Sequence, residues 1–229
     1  MQRSSEEQWY SQKLSERCIK ALERNNIRCH YVNDRDEARA KLIEVIPEGA
    51  SIGVGGSRTL VQTGVFDELD RRGGHQVFNP YRKDGEDYYP PLETVLQEIA
   101  EVGKMALTAD VFLTGINAIT LDGKLVATDG FGNRVAALIW GPERVIVVSG
   151  VNKIVDNIDQ ALKRIKSIAA PMNAWRLEHE HGYPPTPCGV TGVCVDCKDI
   201  RHCTYTVIVE CQTFPQRLEV VLVGETLGY

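Results

Sequence analysis

Two short runs constrain this chain most. DVFLTG at 110–115 and RVIVVSG at 144–150 are rich in apolar residues on both faces of an extended backbone, with helical patterns between and after them. A strand apolar on both faces must be covered on both, as in a parallel sheet between layers of helices. The rest of the chain repeats this alternation. Ser4 and Glu7 form a capping box ahead of Tyr10, Leu14, Cys18, Ala21 and Leu22, a helix stopped by Asn25-Asn26. IRCHYV at 27–32 reads as a strand, and Asp34 with Glu37 opens a helix facing inward through Ala38, Leu42, Val45 and Ile46. A strand entering SIGVGGS and the run HQVF at 75–78 follow, then a polar loop, NPYRKDGEDYYPP, suited to be a lid or partner surface. The helix from Pro91 shows Leu92, Val95, Leu96, Ile99, Val102 and Ala106 on one face. Around Asp122-Gly123 the alternation predicts a hairpin, and FGNRVAALIW predicts a helix. Asn152 to Ala169 reads as one helix on the periodicity of Ile154, Val155, Ile158, Ala161, Leu162, Ile165 and Ile168. TYTVIVE and RLEVVLVGE read as strands that extend or cap the sheet.

The fold class is therefore α/β, a mainly parallel sheet with helices on both faces and ligands bound where strands end in loops. We divide the chain into an N-terminal helix at 1–26 and an α/β domain at 27–229 that includes a four-cysteine segment at 188–203. With 229 residues, about 70% of the unfolded surface can be buried without disulfides. A net charge of -5 and no long basic block argue against nucleic acid and against an anionic membrane surface as partners. The opening MQRSSEEQWY carries two glutamates where a secretory leader needs an apolar stretch, and no run approaches the ~20 residues of a membrane span, which predicts a cytoplasmic chain.

Three loops at predicted strand ends carry candidate ligand contacts. GVGGSRT at 53–59 offers backbone N–H groups to a phosphate or carboxylate, yet Arg58 stands where G-x-G-x-x-G needs its third glycine and no P-loop lysine follows. A tight strand–helix turn explains the same glycines. In the stretch from Thr114 to Arg134, Asn117 is placed to orient a carbonyl or hydroxyl, Asp129 to act as a base, and Arg134 to clamp an anion, although Asp129 and Asn133 also suit simple helix capping. SGVNKI at 149–154 places Lys153 at the expected start of a helix, where it attracts anions or is merely solvated. A fourth constellation, PCGVTGVCVDCKDIRHC, spaces Cys188, Cys194, Cys197 and Cys203 by five, two and five residues. In a cytoplasmic chain this favours zinc or an iron–sulfur cluster, with disulfides or a Cys194–Cys197 redox pair as the alternative. No nucleophile elbow with a Ser–His–Asp order is present to support hydrolase chemistry.

Taken together and in order, GGSRT, TGINAITLDGKLVATDGFGNRVAALIWGP, GVNKIV, AAPMNAWRL, PCGVTGVCVDC, RHC and GETLGY resemble the LUD domain, the lactate-utilisation family that includes LutC-like proteins. The resemblance runs from about residue 10 to the C-terminus. It implies the NagB/RpiA/CoA-transferase-like fold and membership of systems that oxidise lactate to pyruvate beside iron–sulfur redox proteins. It also implies a ligand loop at Gly55, Gly56, Ser57 and Thr59, with Asn117, Asp129, Asn133, Arg134, Asn152 and Lys153 around the same pocket. TGINAI further resembles the strand end of sugar-phosphate isomerases, where an aspartate transfers the proton; Asn117 stands there and cannot act as a carboxylate base. The functional expectation is a component of lactate or hydroxyacid oxidation that binds a small anionic metabolite. A sugar-phosphate isomerase-like enzyme with Asp129 as base, and a non-catalytic metabolite-binding or regulatory module, are the alternatives; a homo-oligomer is compatible with each.

Overall fold

A computed structural model describes residues 4–83, 86, 87 and 89–229. Ser4 caps α1 (Ser5–Arg24) with the reciprocal Glu7 bond that the sequence predicts. β1 (Arg28–Val32) and α2 (Arg35–Val45), capped by Asp34, follow as expected. The chain continues through β2 (Ile52–Val54), α3 (Arg58–Thr63), α4 (Val65–Arg72) and β3 (Val77–Phe78). The expected loop holds a small antiparallel pair, β4 (Arg82–Lys83) and β5 (Glu86–Asp87); its Asp84, Gly85 and Tyr88 lie outside the described residues. Next come α5 (Leu92–Leu107), β6 (Val111–Gly115), the hairpin β7 (Ala118–Thr120) with β8 (Leu125–Asp129), α6 (Asn133–Ile139) and β9 (Arg144–Gly150). A 3-10 turn (Val151–Lys153), β10 (Ile154–Val155), α7 (Ile158–Arg164), a π-turn (Ile165–Ala169) and α8 (Ala170–His181) lead to α9 (Pro187–Thr191), β11 (Tyr205–Val209) and β12 (Leu218–Val223).

Six strands form one all-parallel sheet in the order β1-β12-β9-β6-β2-β3. Alternation along them feeds two cores. Phe112, Val145, Val147, Leu218, Val220 and Leu222 pack with residues of α1, α6 and the β7–β8 hairpin, whereas Val111, Leu113, Ile146, Val148, Val221 and Val223 pack with α2, α3 and α4. The predicted α/β class, with a parallel sheet covered on both faces, is what the structure shows. A second sheet, β10-β7-β8-β11, sits on the α1 side, and its turn at Gly123 adopts φ +85°. A Cβ at Gly123 would strike the backbone of Ala21, so this hairpin is fitted closely against α1. Among the described residues no helix is long and apolar enough to cross a membrane.

Several expectations fail for physical reasons. The helix expected over 152–169 begins only at Ile158, because Asn157 caps it through the Gln160 N–H while Ile154 and Val155 pair with Ile119 and Thr120 of β7. β12 neither extends nor caps the sheet; it lies inside it between β1 and β9, with all six residues buried. Leu96 is 66% exposed and Tyr10 58% exposed, each off the buried stripe of its helix.

Candidate functional site

The carboxyl ends of β2, β6, β9 and β12 open toward one cavity of about 130 Å³. Beyond β2, Ser57 caps α3 by accepting the Leu60 N–H at 3.3 Å. Gly115, at the end of β6, lets that loop approach, since a Cβ there would fall on Ser57 Oγ. Asn117 follows, and its carboxamide oxygen accepts the Thr128 N–H at 2.8 Å and an Arg134 guanidinium N–H at 3.3 Å. Arg134 also donates to the Thr128 carbonyl. Asp129, ending β8, accepts the Gly130 N–H at 2.9 Å and the Arg134 N–H at 3.0 Å, so it anchors the first turn of α6 while lining the cavity.

Lys153 sits in the 3-10 turn after β9 rather than at a helix start, which corrects the placement expected from sequence. Only 3% of it is exposed, and its Nζ donates to Thr59 Oγ1 at 2.8 Å. Burial, reinforced by the Arg164 and Arg134 guanidiniums, pulls its pKa down to about 7. Arg164 donates to the carbonyls of Asn117 and Asn152, and burial lowers its pKa as well.

Sequence reasoning missed the other wall. Arg176 of α8 is 8% exposed and reaches the Tyr229 hydroxyl at 2.7 Å, the Tyr89 hydroxyl at 3.1 Å and Asn173 Oδ1 at 3.1 Å, with its guanidinium 4.5 Å from the Tyr89 ring centre. Tyr81 and Tyr89 bring the polar loop onto the cavity, as a lid would, and burial raises the Tyr81 pKa. His202 also lines the cavity; its Nε2 is buried without a hydrogen-bond partner among the described residues, and burial lowers its pKa. An arginine inside AAPMNAWRL has no local signature, because only the path of α8 across the strand ends brings it here.

Of the residues singled out from sequence, Gly56, Ser57, Thr59, Asn117, Asp129, Arg134 and Lys153 line the cavity. Gly55, Asn133 and Asn152 stand behind it. A Cβ at Gly55 would press on Arg134, Asn133 donates to the Tyr81 hydroxyl at 3.3 Å, and Asn152 Oδ1 accepts the Leu227 N–H at 3.1 Å, fastening the C-terminal segment that brings Gly228 and Tyr229 to the cavity. Among the described residues the lining carries Arg58, Arg134, Lys153 and Arg176 against a single acidic side chain, Asp129. Arg58 has Glu180 at 3.9 Å, whereas among the described residues Arg134, Lys153, Arg164 and Arg176 make no salt bridge. Burying cations without countercharge is costly, so this arrangement suits an anionic ligand.

The cysteine segment runs beside the same cavity, and Cys203 lines it. Cys188 is buried with its thiol 3.5 Å from the Thr186 hydroxyl, the Cys197 thiol points at the Ile200 carbonyl at 3.4 Å, and Lys166 Nζ lies 3.6 Å from Cys203 Sγ. Burial raises the Cys197 pKa, and the Cys188 and Cys203 thiols add to the effect. They are soft donors of the right kind for zinc or an iron–sulfur cluster. As placed, however, they are not a ready cradle: among the described residues no three Cys, His, Asp or Glu side chains gather closely enough to hold a metal ion.

The fold is that of an α/β protein with a cavity at the carboxyl end of its parallel sheet. The family model for the LUD domain matches residues 15–223, and the chain belongs to that family, a lactate-utilisation-related domain. No curated protein sequence matches the chain. Among solved structures it is similar to a DUF162 family protein from Deinococcus radiodurans, at 14% identity and TM-score 0.49, covering 93% of this chain and 98% of that one. It is also similar to eIF2B delta from Chaetomium thermophilum, at 17% identity and TM-score 0.36, covering 66% of this chain and 54% of that one.

Proposed function

We propose that the chain binds a small anionic metabolite in this cavity as a component of lactate or related hydroxyacid oxidation, acting beside iron–sulfur redox proteins. The observation that carries the ligand class is the burial of Lys153 and Arg176 in the lining of one cavity, with no carboxylate among the described residues paired to either. The volume, about 130 Å³, is well below the roughly 300–1,000 Å³ of sites for drug-sized ligands, which selects a small metabolite. Membership of the LUD-domain family supports the metabolic setting. Backbone N–H groups near Ser57 and the guanidinium of Arg134 orient the anion, the Tyr81 and Tyr89 side chains shield it from water, and Lys153 supplies charge that is strengthened when an anion binds.

Thermal unfolding of the full chain with L-lactate, pyruvate or phosphate, against chloride at matched ionic strength, tests this reading. A ligand at 100 times its Kd adds about 2.7 kcal/mol of stability, and Arg176→Met should remove most of that gain. Absence of stabilisation by every anion tried sinks the proposal. Metal analysis with anaerobic absorption spectroscopy tests the cysteine segment separately: bound iron with visible absorption supports a cluster, stoichiometric zinc a structural site, and metal-free protein neither.

One observation favours a second reading. Among the described residues Asp129 is the single acidic side chain in the cavity lining, the place a proton-transferring base of a sugar-phosphate isomerase-like enzyme would take. Incubation with ribose 5-phosphate in deuterated water would then exchange the C2 hydrogen, and Asp129→Asn would stop it; no exchange in the parent protein rejects this reading.

A further inference from the structure

An ammonium whose purpose is only to hold an anion works best fully charged, yet Lys153 is enclosed by the chain and flanked by two guanidiniums. Among the described residues its one hydrogen-bond partner is a neutral hydroxyl, Thr59 Oγ1 at 2.8 Å. The C-terminal segment presses on the pair: a Cβ at Gly228, which has φ +60°, would lie 3.0 Å from Lys153 Nζ. Gly228 is itself held by its N–H donating to Gln62 Oε1 at 2.6 Å. The amine is thus fixed in direction, sheltered and turned into a cavity, the placement of an activated lysine nucleophile.

We propose that Lys153 forms an imine with the carbonyl of a small 2-oxo carboxylate. The proposal rests on the anion pocket described above, because the cationic wall receives the carboxylate while the amine meets the neighbouring carbonyl. The Nζ lone pair adds to the carbonyl carbon, making the C–N bond as the carbonyl oxygen takes a proton. Loss of that oxygen as water, carrying away both amine hydrogens, leaves the C=N bond. No oxidation or reduction occurs, and no co-reactant is needed. In the free protein a neutral amine is present near pH 7, because the same burial that isolates Lys153 disfavours its ammonium; a bound carboxylate raises the charged fraction, so addition draws on the neutral remainder and is faster at alkaline pH.

The test is reductive trapping on the full chain. Protein is incubated with pyruvate, glyoxylate or 2-oxoglutarate and sodium cyanoborohydride, then measured by intact mass and peptide mapping. One stable adduct on the peptide containing Lys153, suppressed by excess phosphate and absent from Lys153→Arg and Lys153→Met, is expected. Uniform low labelling across surface lysines, or no adduct at Lys153 with any of the three, overturns the proposal. Phosphate binding measured on the same preparation separates the two ideas: binding without an adduct leaves the anion pocket standing and rejects the covalent step, whereas no binding and no adduct rejects both. An adduct at Lys153 that phosphate does not suppress supports imine formation but removes its dependence on the anion pocket.

Discussion

Replacing Lys153 by methionine should make the protein more stable in acid and neutral solution, although it removes a hydrogen bond. The folded-state pKa of about 7 lies some three and a half units below the ordinary lysine value of 10.5. At about 1.36 kcal/mol per unit, keeping this amine in the fold costs about 5 kcal/mol wherever it is charged in both states. The sign follows from proton counts. Between pH 7 and 10.5 the unfolded chain binds a proton at Lys153 that the folded chain does not, so stability rises with pH across that window, while below pH 7 the full cost is present. Methionine has similar length and no charge. It removes the cost and loses the bond to Thr59 Oγ1, worth about 1 kcal/mol. The variant should therefore gain on the order of 3–4 kcal/mol at pH 6 and, with the advantage shrinking by about 1.4 kcal/mol per unit above pH 7, be within about 1 kcal/mol of the parent at pH 9. Urea unfolding of both proteins at the two pH values measures it. A variant less stable than the parent at pH 6 would refute the reasoning, since it would mean that the ammonium is held by a charge the geometry does not show.

Gly123→Ala should lose at least about 2 kcal/mol, since the φ of +85° is strained for alanine and the new methyl meets the backbone of Ala21; chemical denaturation reads the loss, and an unchanged midpoint would show that α1 does not rest on the hairpin. Asp129→Asn should cost about 1–2 kcal/mol, because an amide nitrogen cannot accept one of the two N–H groups, from Gly130 and Arg134, that the carboxylate now accepts; amide hydrogen exchange in α6 should accelerate with it.

Much of this architecture is legible in the amino-acid sequence, and the reasons are local. The Ser4–Glu7 box, the Asp34 cap and the Asp122-Gly123 turn fix their elements by chemistry within a few residues, and RVIVVSG is long enough and apolar enough to be a strand over its whole length. What the sequence conceals depends on distant partners. Ile154 and Val155 fit a helical stripe as well as a two-residue strand, and pairing with β7 decides between them. The LEVVLV run looks like an edge or central strand equally well until its neighbours, β1 and β9, are in place. The pocket was half visible: glycines and polar residues at strand ends pointed to Ser57, Asn117, Arg134 and Lys153, while Arg176 and Tyr229 join them only through the course of α8 and the C-terminal segment.

Calorimetry of sulfate binding at pH 8, in buffers of different ionisation enthalpy, tests the anion pocket most directly. Sulfate does not titrate there, so any proton exchanged belongs to the protein. With Lys153 largely neutral in the free protein at that pH, binding should be accompanied by uptake of close to one proton, and Lys153→Met should bind more weakly without uptake. Sulfate that fails to bind at millimolar concentration, or binds identically in both proteins with no proton taken up, would contradict the account of this cavity.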